Sequence, residues 1–170
     1  TFFNAETNTA FILGDRATDS DEFDDSVILH EYAHLLATRF SRDDSPGGPH
    51  VLGDALDPRV AWSEGWANFF SALVRNSPIY RDSMGFGGET VLEYNLEDNV
   101  PIGDQPGYWS EFSVHSILWD LADSNPDTGD AVEIVFPVIW EAFLQLRDDT
   151  FVYVPSFLDR LTSLLPLEAS

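Results

Sequence analysis

The chain carries the stretch His30-Glu31-Tyr32-Ala33-His34. Two histidines four residues apart lie one above the other on a helix face, so both imidazoles can reach one metal ion. Glu31, beside the first of them, points to the adjacent side of that face, where it can hold a water next to the metal and take its proton. Neutral imidazole suits zinc, and the chain has no cysteine that would compete as a thiolate. The surroundings read as helix. Asp24, Asp25 and Ser26 offer capping oxygens just ahead, and Val27, Leu29, Ala33, Leu36, Ala37 and Phe40 form an apolar flank at helical spacing. The expected helix covers residues 26–40.

Asp57-Pro58 is a cap-plus-proline start for a second helix, helical in pattern from Ala61 to Val74. Its centre is Trp62-Ser63-Glu64-Gly65-Trp66-Ala67-Asn68-Phe69-Phe70. Glu64 and Asn68 share one face, while Ala61, Gly65 and Ala72 keep the region thin enough for another helix to come close. A polar pair on an otherwise aromatic helix needs a partner if it is buried, and a metal supplies one. A catalytic zinc takes three protein ligands and keeps a fourth position for water. Candidates for the third ligand are Glu64, His50 and His115, and Glu64 is the best placed. Asn68, one turn on, can accept the free ring N–H of His30 or His34 and fix its tautomer. An extended motif with a further histidine six residues after His34 is excluded, because Phe40 stands there and Ala37 replaces its glycine.

The remaining chain reads as support. Thr9-Ala10-Phe11-Ile12-Leu13 is a short strand closed by Gly14-Asp15, and Phe2-Phe3 ends an earlier strand joined to it by a hairpin-like turn. Opening on a strand end, the chain is expected to be a piece excised from a longer protein. Residues 76–107 are rich in glycine and proline and read as a long cleft loop holding one short strand from Thr90 to Leu96. Helices are expected over 109–122, over 130–147 with a kink or restart at Pro137, and over 156–165. The fold class is therefore α+β and mainly helical: a single domain over 1–170, with strand, motif helix and Glu64 helix in 1–75 and a helical part in 108–170.

Thirty acidic residues stand against eight basic ones, all arginine, for a net charge of −22. Such a field repels nucleic acid and anionic membrane, and no apolar run approaches the ~20 residues of a membrane span. It suits a saline or calcium-rich exterior, and the expected setting is secreted or extracellular. Asp15, Asp19, Asp21, Glu22, Asp24 and Asp25 cluster hard oxygen ligands that suit Ca2+, yet without EF-hand spacing. A solvated acidic loop ending in a helix cap accounts for them better. The turn Asp123–Asp130 has the opening spacing of a calcium loop, but Pro126 intrudes and Ile134 occupies its twelfth position.

The pair of motifs, His-Glu-Tyr-Ala-His on one helix and Glu-Gly-Trp-Ala-Asn on the next, resembles the gluzincin metallopeptidases, the thermolysin-like and fungalysin-like group. The strand at Thr9–Asp15, the acidic loop and the motif helix run in that group's order, and the likeness covers residues 1–75 best. It implies a zincin-like catalytic domain with Zn2+ on His30, His34 and Glu64, and with Glu31 as general base and acid. It implies a protein or peptide substrate, and a substrate-binding strand at or before residue 1. The group often has Asp where this chain has Asn68. Hydrolysis of this kind needs a donor for the developing oxyanion. Tyr108, at a loop–helix junction, and His115, in the middle of the third helix, are the candidates, with Tyr94 behind them. Two other classes compete: a catalytically idle zincin-like binding module partnered by other domains of a longer chain, and an acidic calcium-binding domain of a larger secreted protein.

Overall fold

The helix that runs Pro58–Arg75 (α2) is buried along most of its length, and the other elements are arranged around it. The Asp57 carboxylate accepts the Arg59 N–H at its start, where Pro58 has no N–H to leave unpaired. Asn76 ends it in the left-handed conformation (φ 52°), and its N–H bonds back to the last turn. The computed structural model describes residues 1–15, 18–84, 89–98, 106–124 and 132–166. Among these, the elements in chain order are β1 (Phe2–Asn4), β2 (Thr9–Phe11), α1 (Asp25–Phe40), α2, β3 (Ile79–Met84), β4 (Glu89–Asn95), α3 (Glu111–Ala122), α4 (Phe136–Gln145) and α5 (Val154–Leu164). The architecture is α+β, with five α-helices and two small antiparallel sheets among the described residues.

α2 packs against α1 on one side and α3 on the other. The α3 approach depends on Gly65. A methyl group there would overlap Cγ1 of Val114 and lie 3.0 Å from the carbonyl oxygen of Glu111. On its far side α2 meets the C-terminal helices: the Trp66 ring stacks on Phe143 of α4 at 3.9 Å and 6°, and Trp62 packs 5.1 Å from Phe157 of α5. Phe143, Phe157 and Leu161 are as buried as the residues of α2 itself. α1 is fastened to the same layer at its C-terminal end, where the Ser41 hydroxyl donates to the Phe143 carbonyl and Arg147 to that of Phe40.

β1 and β2 form a hairpin in register Phe2↔Phe11 and Asn4↔Thr9. The stretch 76–107 differs from the loop expected of it. β3 and β4 pair antiparallel from Ile79↔Asn95 to Met84↔Glu89, with a bulge between Asp82 and Ser83. The polar run Arg81-Asp82-Ser83 hides β3 from a hydrophobicity reading, but Arg81 and Ser83 have partners at the start of α1 and just before it. The Ser26 hydroxyl accepts the Arg81 N–H, and the Asp24 carboxylate accepts the N–H and hydroxyl of Ser83 at 2.8–2.9 Å. Asp24 does stand at the N-cap position, yet its side chain ties the helix start to β3 rather than capping it.

α4 also departs from expectation. It begins at Phe136 with Pro137 in its first turn and leaves 132–135 outside it, so of the expected kink or restart at Pro137 it is a helix start that forms there. Residues 125–131, which hold most of the Asp123–Asp130 turn, lie outside the described residues, as do 85–88 and 99–105 of the glycine- and proline-rich stretch. No helix among the described residues is long and apolar enough to cross a membrane.

Candidate metal centre

The facing sides of α1 and α2 bring His30, His34 and Glu64 together. Nε2 of His30 lies 3.1 Å from Nε2 of His34 and 3.1 Å from Oε2 of Glu64, which is 3.5 Å from Nε2 of His34. The far nitrogens are already engaged. His30 Nδ1 donates to Oδ1 of Asn68 at 2.8 Å, since an amide oxygen only accepts. His34 Nδ1 lies 3.1 Å from Oγ of Ser63, whose hydroxyl donates to Oδ2 of Asp43 at 2.9 Å, so Nδ1 is the donor here too. Both rings are thereby oriented with Nε2 turned toward a carboxylate oxygen. Two imidazole nitrogens and a carboxylate oxygen this close must share protons or a metal cation. Donors arranged tetrahedrally at about 2.0–2.1 Å from an ion stand about 3.3 Å apart, which is the spacing found, so the residues fit zinc.

The electrostatics follow from this crowding. Burial pulls the His34 imidazole down, but the Glu64 carboxylate more than offsets it and carries the group to about 9. Burial pushes Glu64 up, and the imidazoles of His34, His30 and His50 nonetheless hold it well below the usual carboxylate range. Glu31 is buried on α1 beside His30 and lines the same cleft, a space of about 570 Å3. Phe3 on β1, Tyr80 on β3 and the loop residues Gly47, Gly48 and His50 form part of its walls, together with Asp19, Asp21 and Asp82.

The two expected oxyanion donors lie elsewhere. Tyr108 is 47% exposed and faces a separate apolar hollow with Pro155, its ring edge against Tyr153. The loop–helix junction that singled it out points away from the cleft. His115 is 0% exposed, stacked flat on Tyr94 at 5.2 Å, and burial pushes it down to about 3, so it stays neutral and out of reach of substrate. Its Nδ1 is 3.4 Å from Nδ2 of Asn68, which places it behind the centre as a support for the amide that holds His30. Tyr94 is buried between His115 and Tyr80, which itself lines the cleft.

His50, the alternative ligand, does enter the cleft. Its Nε2 lies 3.5 Å from Oε2 of Glu64 and 3.7 Å from Oε2 of Glu111, and its Nδ1 donates to the Gly48 carbonyl. The contact with Glu64 carries His50 up to about 9 against the effect of burial. Burial and the Glu64 charge push Glu111 up to about 7. Sequence reasoning missed Glu111, Asp43 and the role of Ser63. Asp43 and Glu111 carry no local motif, and only the crossing of α1, α2 and α3 brings them to the site. In the acidic stretch, Asp19 and Asp21 meet Asp82 of β3, with oxygens within 4.8 Å of one another. Burial and the charges of Asp21, Asp19 and Asp24 push Asp82 up to about 6.

The family follows from comparison with known proteins. Residues 1–148 match the Mycolysin C-terminal domain. The chain belongs to that family. This membership links the chain to secreted peptidases as a C-terminal domain, a part of a longer multidomain protein, without itself assigning hydrolysis to the domain. An uncharacterized protein of Archaeoglobus fulgidus is 28% identical over 114 residues, covering 64% of this chain and 30% of that protein. The chain thus spans less than a third of that relative's length. No solved structure matches the chain.

Proposed function

We propose that this member of the Mycolysin C-terminal domain family is a zinc-dependent peptidase unit of the gluzincin type, acting on protein or peptide substrates in a secreted parent protein. The observation that carries the reading is the triangle of His30 Nε2, His34 Nε2 and Glu64 Oε2, with sides of 3.1, 3.1 and 3.5 Å, beside the buried Glu31. His30, His34 and Glu64 would hold the zinc, which would supply Lewis acidity toward water and a peptide carbonyl. The chain's own residues supply the rest. Asn68 and the Ser63–Asp43 pair keep His30 and His34 in the ligating tautomer. Glu31 takes the proton of the attacking water as the new C–O bond forms, and returns it to the amine nitrogen as the C–N bond breaks. Phe3 and Tyr80 give the cleft apolar surface for substrate side chains.

A second reading has support of its own: a module that binds the metal and a peptide without cleaving it, serving other domains of the parent. The family's description as a C-terminal domain favours it. A fluorogenic peptide panel separates the two. The peptidase reading expects hydrolysis abolished by chelation, restored by zinc and lost in Glu31→Gln. A zinc-loaded, folded domain that cleaves no peptide sinks it in favour of the module.

A further inference from the structure

The Glu111 carboxylate is 5% exposed, sits in the first turn of α3 and makes no hydrogen bond among the described residues. A carboxyl so deeply desolvated either takes up a proton or needs a compensating charge. The nearest positive candidate is His50, yet Nε2 stands 3.7 Å from Glu111 and 3.5 Å from Glu64, both wider than the roughly 2.7–2.9 Å of a charge-assisted hydrogen bond. Those gaps suit an ion between the groups better than a shared proton, because donors bound at about 2.1 Å from a metal stand about 3–3.5 Å apart. The orientation of the His50 ring agrees: Nδ1–H donates to the Gly48 carbonyl, which turns Nε2 toward the two carboxylates. One ligand atom from each of His50, Glu64 and Glu111 falls within 4.8 Å of the others, and Glu64 is the residue shared with the His30–His34 set.

We propose that His50, Glu64 and Glu111 form a second divalent-ion site beside the first, with the Glu64 carboxylate bridging the two. The proposal rests on the reading of His30, His34 and Glu64 as a metal centre. One imidazole nitrogen with carboxylate oxygens selects zinc, cobalt or manganese over calcium. Two ions sharing a carboxylate turn a single-metal cleft into a paired one, in which the second ion holds a substrate oxygen or amine that the first leaves free.

The test uses the whole chain, equilibrated by dialysis against buffered free zinc, with bound metal counted by mass spectrometry and folding checked by near-ultraviolet circular dichroism. The wild type is expected to hold two equivalents, and His50→Gln and Glu111→Gln one each. Saturation of the wild type at one equivalent, or two equivalents persisting in both variants, overturns the proposal. If His30→Ala keeps its metal while His50→Gln loses one equivalent, the reading of the first centre fails and the second site stands. If the wild type holds one equivalent that His30→Ala removes, the second site fails and the first stands. Cobalt titration of the wild type needs no variant: the second equivalent should weaken the paramagnetic signal per cobalt through coupling across Glu64, and an additive signal rejects the bridge.

Discussion

Nδ1 of His30 on α1 donates to Oδ1 of Asn68 on α2 across 2.8 Å, and this one bond joins the two helices directly behind the candidate centre. Because the amide's other end reaches His115 on α3, three helices meet at a single buried side chain. Asn68→Ala is therefore expected to weaken zinc binding about 10- to 100-fold, the usual cost of removing a group that orients a ligating histidine. Asn68→Asp should retain most of the affinity, since it keeps the acceptor. Competition against a chromogenic chelator measures both, and an Asn68→Ala affinity equal to wild type would refute the role.

Glu31→Gln keeps the shape of the side chain and removes its ability to take a proton. Peptide hydrolysis should fall by about 100-fold or more, while zinc content and melting temperature stay within error of wild type. Loss of metal together with activity would move Glu31 from proton transfer to ligation.

Gly65→Ala tests the close crossing of α2 and α3. The added methyl meets Val114, and the carbonyl of Glu111 lies only 3.0 Å away, so α3 must shift. Overpacking of this kind costs roughly 1–3 kcal/mol, at about 2–4 °C of melting temperature for each kcal/mol in a chain of this size. Val114→Ala in the same molecule should restore part of the loss. A Gly65→Ala melting temperature at the wild-type value would contradict the packing described.

His115 gives a pH dependence of known sign. Burial lowers its pKa from 6.5 to about 3, so the folded chain refuses a proton that the unfolded chain accepts. Its contribution is intact above pH 6.5 and is lost as pH falls from 6.5 toward 3, by at most roughly 1.4 kcal/mol for each pH unit. Urea unfolding followed across that window should show a shallower acid slope in His115→Gln than in wild type. Equal slopes would assign the acid sensitivity to other groups.

How much of this was readable from residues alone depended on whether the signal was local. α1 and α2 carry their own punctuation, Asp57-Pro58 at one start and apolar residues at helical spacing, and both formed close to the expected limits. β3 was hidden because Arg81, Asp82 and Ser83 look like loop until Asp24, which precedes α1, and Ser26 in its first turn are set against them. Glu64 could be picked out by its small neighbours and by Asn68 one turn on. Glu111 could not, since nothing near it in sequence says that α3 crosses at Gly65. Tyr108 and His115 misled for a related reason: a junction or a mid-helix position does not tell which way a ring faces. Tyr108 faces an outer hollow and His115 the core.

The packing of α5 bears on how the domain should be excised for laboratory use. The family match ends at residue 148, yet Phe157 and Leu161 are enclosed by the same layer that holds Trp62 and Trp66. A fragment cut at the family boundary would strip Phe157 from the Trp62 ring and from one edge of the Trp66 packing, leaving Trp66 with its Phe143 stack on that side. Expression designs that stop there invite aggregation, and a silent metal assay on such a fragment would report a broken scaffold, not an inert site.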